Sequence, residues 1–123
     1  MQLEINEARI EQDFFGDIAL PDCPPVIRPV AERILVLLVD LRLSPPSLNG
    51  MARFDQFLIL NYWKLLDGMD PSDFEAWFMS KATYPEKIRR ARQWLVEQRI
   101  LVLPEEILDR AQREEARWRS QIR

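Results

Sequence analysis

Proline placement constrains this chain more than any other feature, because prolines at positions 21, 24, 25, 29, 45, 46, 71, 85 and 104 stand against only three glycines. A proline has no N–H to offer a helix interior or a central strand, so these positions cut the chain into short segments. Scarce glycine argues against the many tight turns of an all-β fold. A chain of 123 residues fits one domain and can bury a core of its own. With 47% hydrophobic and 30% charged residues, a wholly disordered chain is excluded. The expected fold is mostly α: a compact bundle of about five short to medium helices over residues 1–123, with at most one short strand pair.

Residues 2–6 alternate in a way that suits a short strand. The Asn6 cap and the pair Ile10 and Phe14 favour a helix over 6–15. Residues 16–29 read as a proline-rich extended connection. Pro29 suits a helix first turn, and the apolar run Ile34 to Val39 then fills most of a helix circumference, predicting a central helix to about Leu43. A buried strand is the rival for that run. Next, Phe54, Phe57, Leu58, Tyr62 and Leu65 form one stripe of a helix stopped near Gly68. Asp70, Pro71 and Asp73 suit the start of a short helix whose buried face is Phe74, Trp77 and Phe78.

Tyr84-Pro85 opens a further helix with Ile88, Ala91 and Leu95 on its apolar side and Trp94 on the border. The run from Arg99 to Leu103 is extended or ends that helix. Residues 104–123 predict a charged terminal helix beginning near Pro104, docked through Ile107, Leu108 and Ala111 and partly projecting beyond them. Glu106 with Arg110, Asp109 with Arg113, and Glu115 with Arg119 have the i to i+4 spacing that adds about 0.2–0.5 kcal/mol per pair.

No histidine is present, which removes the commonest general base and the commonest neutral metal ligand. The single cysteine, Cys23, lies between Asp22 and Pro24, where negative charge opposes thiolate formation. No phosphate-binding loop can be built from Gly16, Gly50 and Gly68. The carboxylates fall mostly at helix starts or beside Arg and Lys, outside an apolar cleft. No catalytic residue, cofactor, metal site or small-molecule ligand is therefore expected. One unpaired cysteine, the lack of a signal-like N-terminus and the absence of a long apolar stretch point to a cytoplasmic protein with no membrane partner.

Charge is split along the chain. Residues 1–80 hold six Lys or Arg against thirteen Asp or Glu, and residues 81–123 hold eleven against seven. An acidic front and a basic rear suit a head-to-tail contact or an anionic partner for the rear, with ordinary solvated helix faces as the plain alternative.

Residues 71–103 supply a short helix, a tight connection, the helix PEKIRRARQWLVEQ and the apolar RILVL. This stretch resembles the second and third helices of a helix-turn-helix or winged-helix DNA-binding domain, through Arg89, Arg90, Ala91, Leu95 and Ile100. The resemblance implies that Lys87, Arg89, Arg90 and Gln93 reach phosphates or base edges. It covers about a quarter of the chain, and Pro104-Glu-Glu follows where a wing hairpin belongs. On an ideal wheel, Arg92 falls near the apolar side, opposite Arg90.

The leading expectation is a non-enzymatic helical subunit or adaptor that binds other protein chains, its own kind or another. Trp118, Arg113, Arg117 and Ile122 are the candidate partner-binding residues, since Trp118 stands far from any broad apolar face and is either a clasp onto the domain or an anchor for a partner. The alternative is a small nucleic-acid-binding protein, or the small subunit of a nucleoprotein complex, using Lys87, Arg89, Arg90 and Gln93.

Overall fold

Pro29 lies in the first turn of the helix α1 (Arg28–Leu35), where its missing N–H leaves no bond unmade. The computed structural model of the chain describes residues 3–46, 49–108 and 110–121, the side chains at 110–112, 116 and 120 excepted. The helices described after α1 are α2 (Met51–Leu65), α3 (Phe74–Ser80), α4 (Pro85–Glu97) and α5 (Arg110–Gln121). Four two-residue strands accompany them: β1 (Glu4–Ile5), β2 (Glu11–Gln12), β3 (Ile18–Ala19) and β4 (Leu101–Val102). The mostly α-helical architecture is the one the sequence predicts.

α1 is the central helix. Val30, Ala31, Ile34 and Leu35 are buried, and the helix packs against both α4 and α2. Beyond Leu35 the chain widens into a π-helical turn, Val36–Asp40, which places both Leu37 and Leu38 in the core. Arg42 then adopts a left-handed conformation, and the Leu43 N–H bonds back to the Leu37 carbonyl at 2.9 Å. The rival strand does not form.

α2 buries Met51, Phe54, Leu58 and Tyr62 but also Asp55, while Leu65, expected on the same stripe, is exposed. α4 turns Ile88, Ala91 and Leu95 inward together with Arg92. The Arg92 Nε donates to Asp55 Oδ1 at 2.7 Å and its Nη2 to Oδ2 at 2.8 Å, so a bidentate ion pair joins α4 to α2 inside the protein. α4 ends in a Schellman motif, with Ile100 N–H on the Leu95 carbonyl and Arg99 N–H on that of Val96. The left-handed position, which usually holds glycine, is occupied here by Arg99 at φ 58°.

Three expectations are corrected. The helix over 6–15 is replaced by a single 3-10 turn, Glu7–Arg9, between β1 and β2. Asn6 makes no side-chain cap; its N–H bonds to the Ile100 carbonyl and continues the β1–β4 pairing, in which Ile5 faces Leu101. Among the described residues two antiparallel strand pairs form where at most one was expected, because β2 and β3 close a hairpin around Gly16 in addition to the β1–β4 pair (Glu11 opposite Ala19, Gln12 opposite Ile18). The terminal helix does not begin at Pro104. Residues 105–107 form a turn that drives Ile107 into the core, and the Glu106 carbonyl is taken by Gly50 N–H and the Arg113 guanidinium in place of a helical donor.

Residues 71–103 do form two helices and a strand. α4 rests on α1 and α2, however, and β4 pairs with the N-terminal β1 in the place of a second wing strand.

Candidate functional site

The β2–β3 hairpin carries the most exposed large apolar side chains described in the molecule. Its tip is Asp13-Phe-Phe-Gly-Asp17. Asp13 organises it: Oδ1 accepts from the N–H groups of Phe15 and Asp17, both at 2.9 Å, while the main chain closes from Asp13 N–H to the Asp17 carbonyl at 2.8 Å. Gly16 supplies the positive φ, 82°, that the turn needs. These bonds are all local to the turn, while Ile10 and Ile18 at its base pack against the core. Phe14 is 95% exposed and Phe15 83%, their rings edge-to-face at 5.4 Å. The carboxylates of Glu11, Asp13 and Asp17 surround them in sequence and are solvent-exposed.

Sequence reasoning missed this site by assigning Phe14 to a helical face with Ile10. Ile10 does pack against the core, whereas Phe14 points away from it. The available signal was glycine between two phenylalanines and an aspartate, a turn composition.

A second aromatic surface lies where α3 meets α2. Trp77 is buried, with its indole N–H donating to the Asp67 carbonyl at 2.9 Å. Phe74 and Phe78, expected on the buried face, stack at 5.6 Å and remain about two-fifths exposed, at 43% and 41%. Both rings touch Trp63, whose indole N–H donates to the Thr83 carbonyl at 2.8 Å. Asp67 Oδ2 accepts the Thr83 N–H, tying the connection before α4 to the end of α2.

The candidates near the C-terminus divide. Trp118 is 65% exposed. Arg113 turns back, donating to the carbonyls of Glu105 and Glu106 at 2.9 and 3.0 Å, and Arg117 pairs with the Glu105 carboxylate at 3.2 Å. Of the spaced pairs expected in this helix, Glu115 with Arg119 forms. Asp109 and Ile122 lie outside the described residues, as does the Ala111 side chain.

On α4, Lys87, Arg89, Arg90 and Gln93 all face solvent. Glu86, in the first turn of the same helix, takes hydrogen bonds from Arg89 at 2.6 and 3.0 Å and from Arg90 at 3.2 Å. The Arg89 bonds, with help from Arg90, pull the Glu86 carboxyl down to about 2. Gln93 is engaged by Glu97 at 3.1 Å. The helix therefore presents its cations already half-neutralised, and Arg92 is withdrawn to Asp55.

Two of the depressions in the described surface combine apolar and charged linings. One, of about 140 Å³, has Arg9, Glu11, Asp22 and Trp94 in its lining; Glu11 and Asp22 are exposed, so neither carboxylate is held away from water. The Arg9 guanidinium is fixed there to the Gln98 carbonyl. The other is an open groove of about 460 Å³ where β4 meets the C-terminal segment, lined by Val96, Val102, Leu103 and Leu108 with Arg99 and Arg119.

Cys23 is buried, and burial pushes its thiol above the ordinary value despite Arg28 nearby. Among the described residues no cluster of three potential metal ligands forms, and no helix is long and apolar enough to cross a membrane. Comparison with protein-family models, curated proteins and solved structures finds no match for this chain.

Proposed function

We propose that this chain is a non-enzymatic helical subunit or adaptor that acts through protein–protein contacts, with the Phe14–Phe15 hairpin tip as its principal anchor. The observation that carries the reading is the near-complete exposure of two adjacent phenyl rings on a locally braced turn. Burying one such side chain contributes about 1.5–3 kcal/mol, and a preformed tip gives up little conformational freedom when it binds. Aromatic side chains seated in a partner's pocket are the usual centres of binding energy in an interface. Trp118 and the Phe74–Phe78 stack supply further exposed aromatic area.

The test is recovery of native complexes with the intact chain and with a Phe14→Ala/Phe15→Ala variant, identifying both proteins and nucleic acids. Loss of a stoichiometric protein from the variant supports the reading. Retention of the same proteins by both forms rules out the tip as the anchor.

A second reading, a small nucleic-acid-binding protein or the small subunit of a nucleoprotein complex, draws on the exposed Lys87, Arg89 and Arg90. Glu86 weakens it, since two of these cations already hold a carboxylate. That reading requires salt-dependent binding, with a salt slope that falls by about one for each phosphate contact removed at Arg89 or Arg90. No binding of duplex or single-stranded oligonucleotides at low salt rules it out.

A further inference from the structure

We infer that the Phe14–Phe15 tip of one molecule seats in the groove between β4 and α5 of a second copy, so that the chain associates head to tail. The inference rests on the reading of the tip as a protein contact and names the partner. The chain carries both halves of such a contact. The tip is an apolar knob beside three carboxylates, Glu11, Asp13 and Asp17. The groove is an apolar hollow that shares its lining with the guanidinium groups of Arg99 and Arg119, the second of which is paired with Glu115 on its own helix. Its volume of about 460 Å³ falls within the range of roughly 300–1,000 Å³ typical of pockets that take up compact apolar groups.

In a single molecule the two halves do not meet, since Phe14 is almost wholly exposed and Val102, in the groove, is also exposed. The longer-range charges agree with the local ones: the tip belongs to the acidic front of the chain and the groove to its basic rear.

The end of α4 places Arg99 in the groove. The residue holds the left-handed position of the α4 terminus, which an L residue occupies at a conformational cost that glycine avoids. That conformation sets the Arg99 side chain in the lining of the groove. A knob-and-groove contact between unlike surfaces does not close by a two-fold axis. Each pair in contact leaves one free tip and one free groove between its two members, so association runs on beyond a dimer. A contact confined to two phenyl rings and one groove is expected to be weak and reversible.

Sedimentation equilibrium of the full chain over a wide concentration range tests this. The wild-type average mass should rise with concentration and pass the dimer value. Phe14→Ala/Phe15→Ala, which removes the knob, and Val102→Glu, which puts a carboxylate in the groove, should each associate at least about tenfold more weakly. Circular dichroism should show both folded. An equimolar mixture of the two variants should give a dimer that grows no further, because together they retain one knob and one groove. A wild-type chain that stays monomeric throughout overturns self-association; if the tip variant has still lost a native protein partner, the tip remains a contact for another chain. Association of the wild type without dimer formation in the mixture overturns the groove as the seat. Binding of a monomeric chain to neutral phospholipid vesicles through the tip overturns the inference in favour of a lipid surface.

Discussion

Arg92 on α4 grips Asp55 on α2 through two parallel hydrogen bonds of 2.7 and 2.8 Å, both partners withdrawn from solvent. Removing one member leaves the other charge buried and uncompensated. Arg92→Ala or Asp55→Ala should therefore cost about 3–5 kcal/mol in urea unfolding, whereas Arg92→Met combined with Asp55→Leu should cost much less, because no charge is stranded. A single replacement that cost under about 1 kcal/mol would show that the pair does not join the two helices.

Glu86 sets the acid response of α4. Its carboxyl is held at about 2 against an ordinary 4.5, chiefly by hydrogen bonds from Arg89. A depressed folded-state value means that the stabilisation is complete above about 4.5 and is lost as pH falls through about 2. Proton titration of the Glu86 carboxyl by NMR should show that midpoint, and Arg89→Ala should move it upward. Glu86→Gln should free both arginines and strengthen any binding of polyanions at low salt.

Replacing Arg99 should separate stability from association. Arg99→Gly relieves the left-handed strain at the Schellman position and should raise thermal stability by about 0.5–1 kcal/mol, after allowing for the extra freedom of glycine in the unfolded chain. The same change removes a cation from the groove and should weaken self-association. Paired measurements by calorimetry and sedimentation check both signs.

Much of the helical layout was legible because it follows from hard rules. Pro29, Pro71 and Pro85 each stand in the first turn of a helical segment, and the Ile88, Ala91, Leu95 stripe is the buried face of α4. Arg92 was already out of place on the wheel, but nothing local named Asp55, which lies 37 residues away. The N-terminal hairpin was illegible for a different reason. Strands of two residues cannot display alternation; the β2–β3 pairing is set by Asp13 and Gly16 in the turn, and β1 before it is paired by β4 far along the chain. The late start of α5 had a similar origin, since the Glu105 and Glu106 carbonyls are claimed by Arg113 and Gly50. Tertiary partners decided both.

Trp118 is largely exposed on α5, so Trp118→Ala should leave unfolding stability within about 0.5 kcal/mol. As a contact residue it should still weaken partner association by more than about 1 kcal/mol, read by titration calorimetry with the recovered partner. A loss of several kcal/mol in the isolated chain would place the indole in the core and withdraw it from the contact surface.

The most direct measurement is oxidative footprinting of the Phe14 and Phe15 rings, comparing dilute purified chain with the same chain at its native concentration in extract. Rings that are 95% and 83% exposed should label fully in the dilute protein. In the extract they should be protected, while the Phe14→Ala/Phe15→Ala variant shows no compensating protection elsewhere on the hairpin. Equal labelling of both rings in the two conditions would contradict a protein-contact role for the tip.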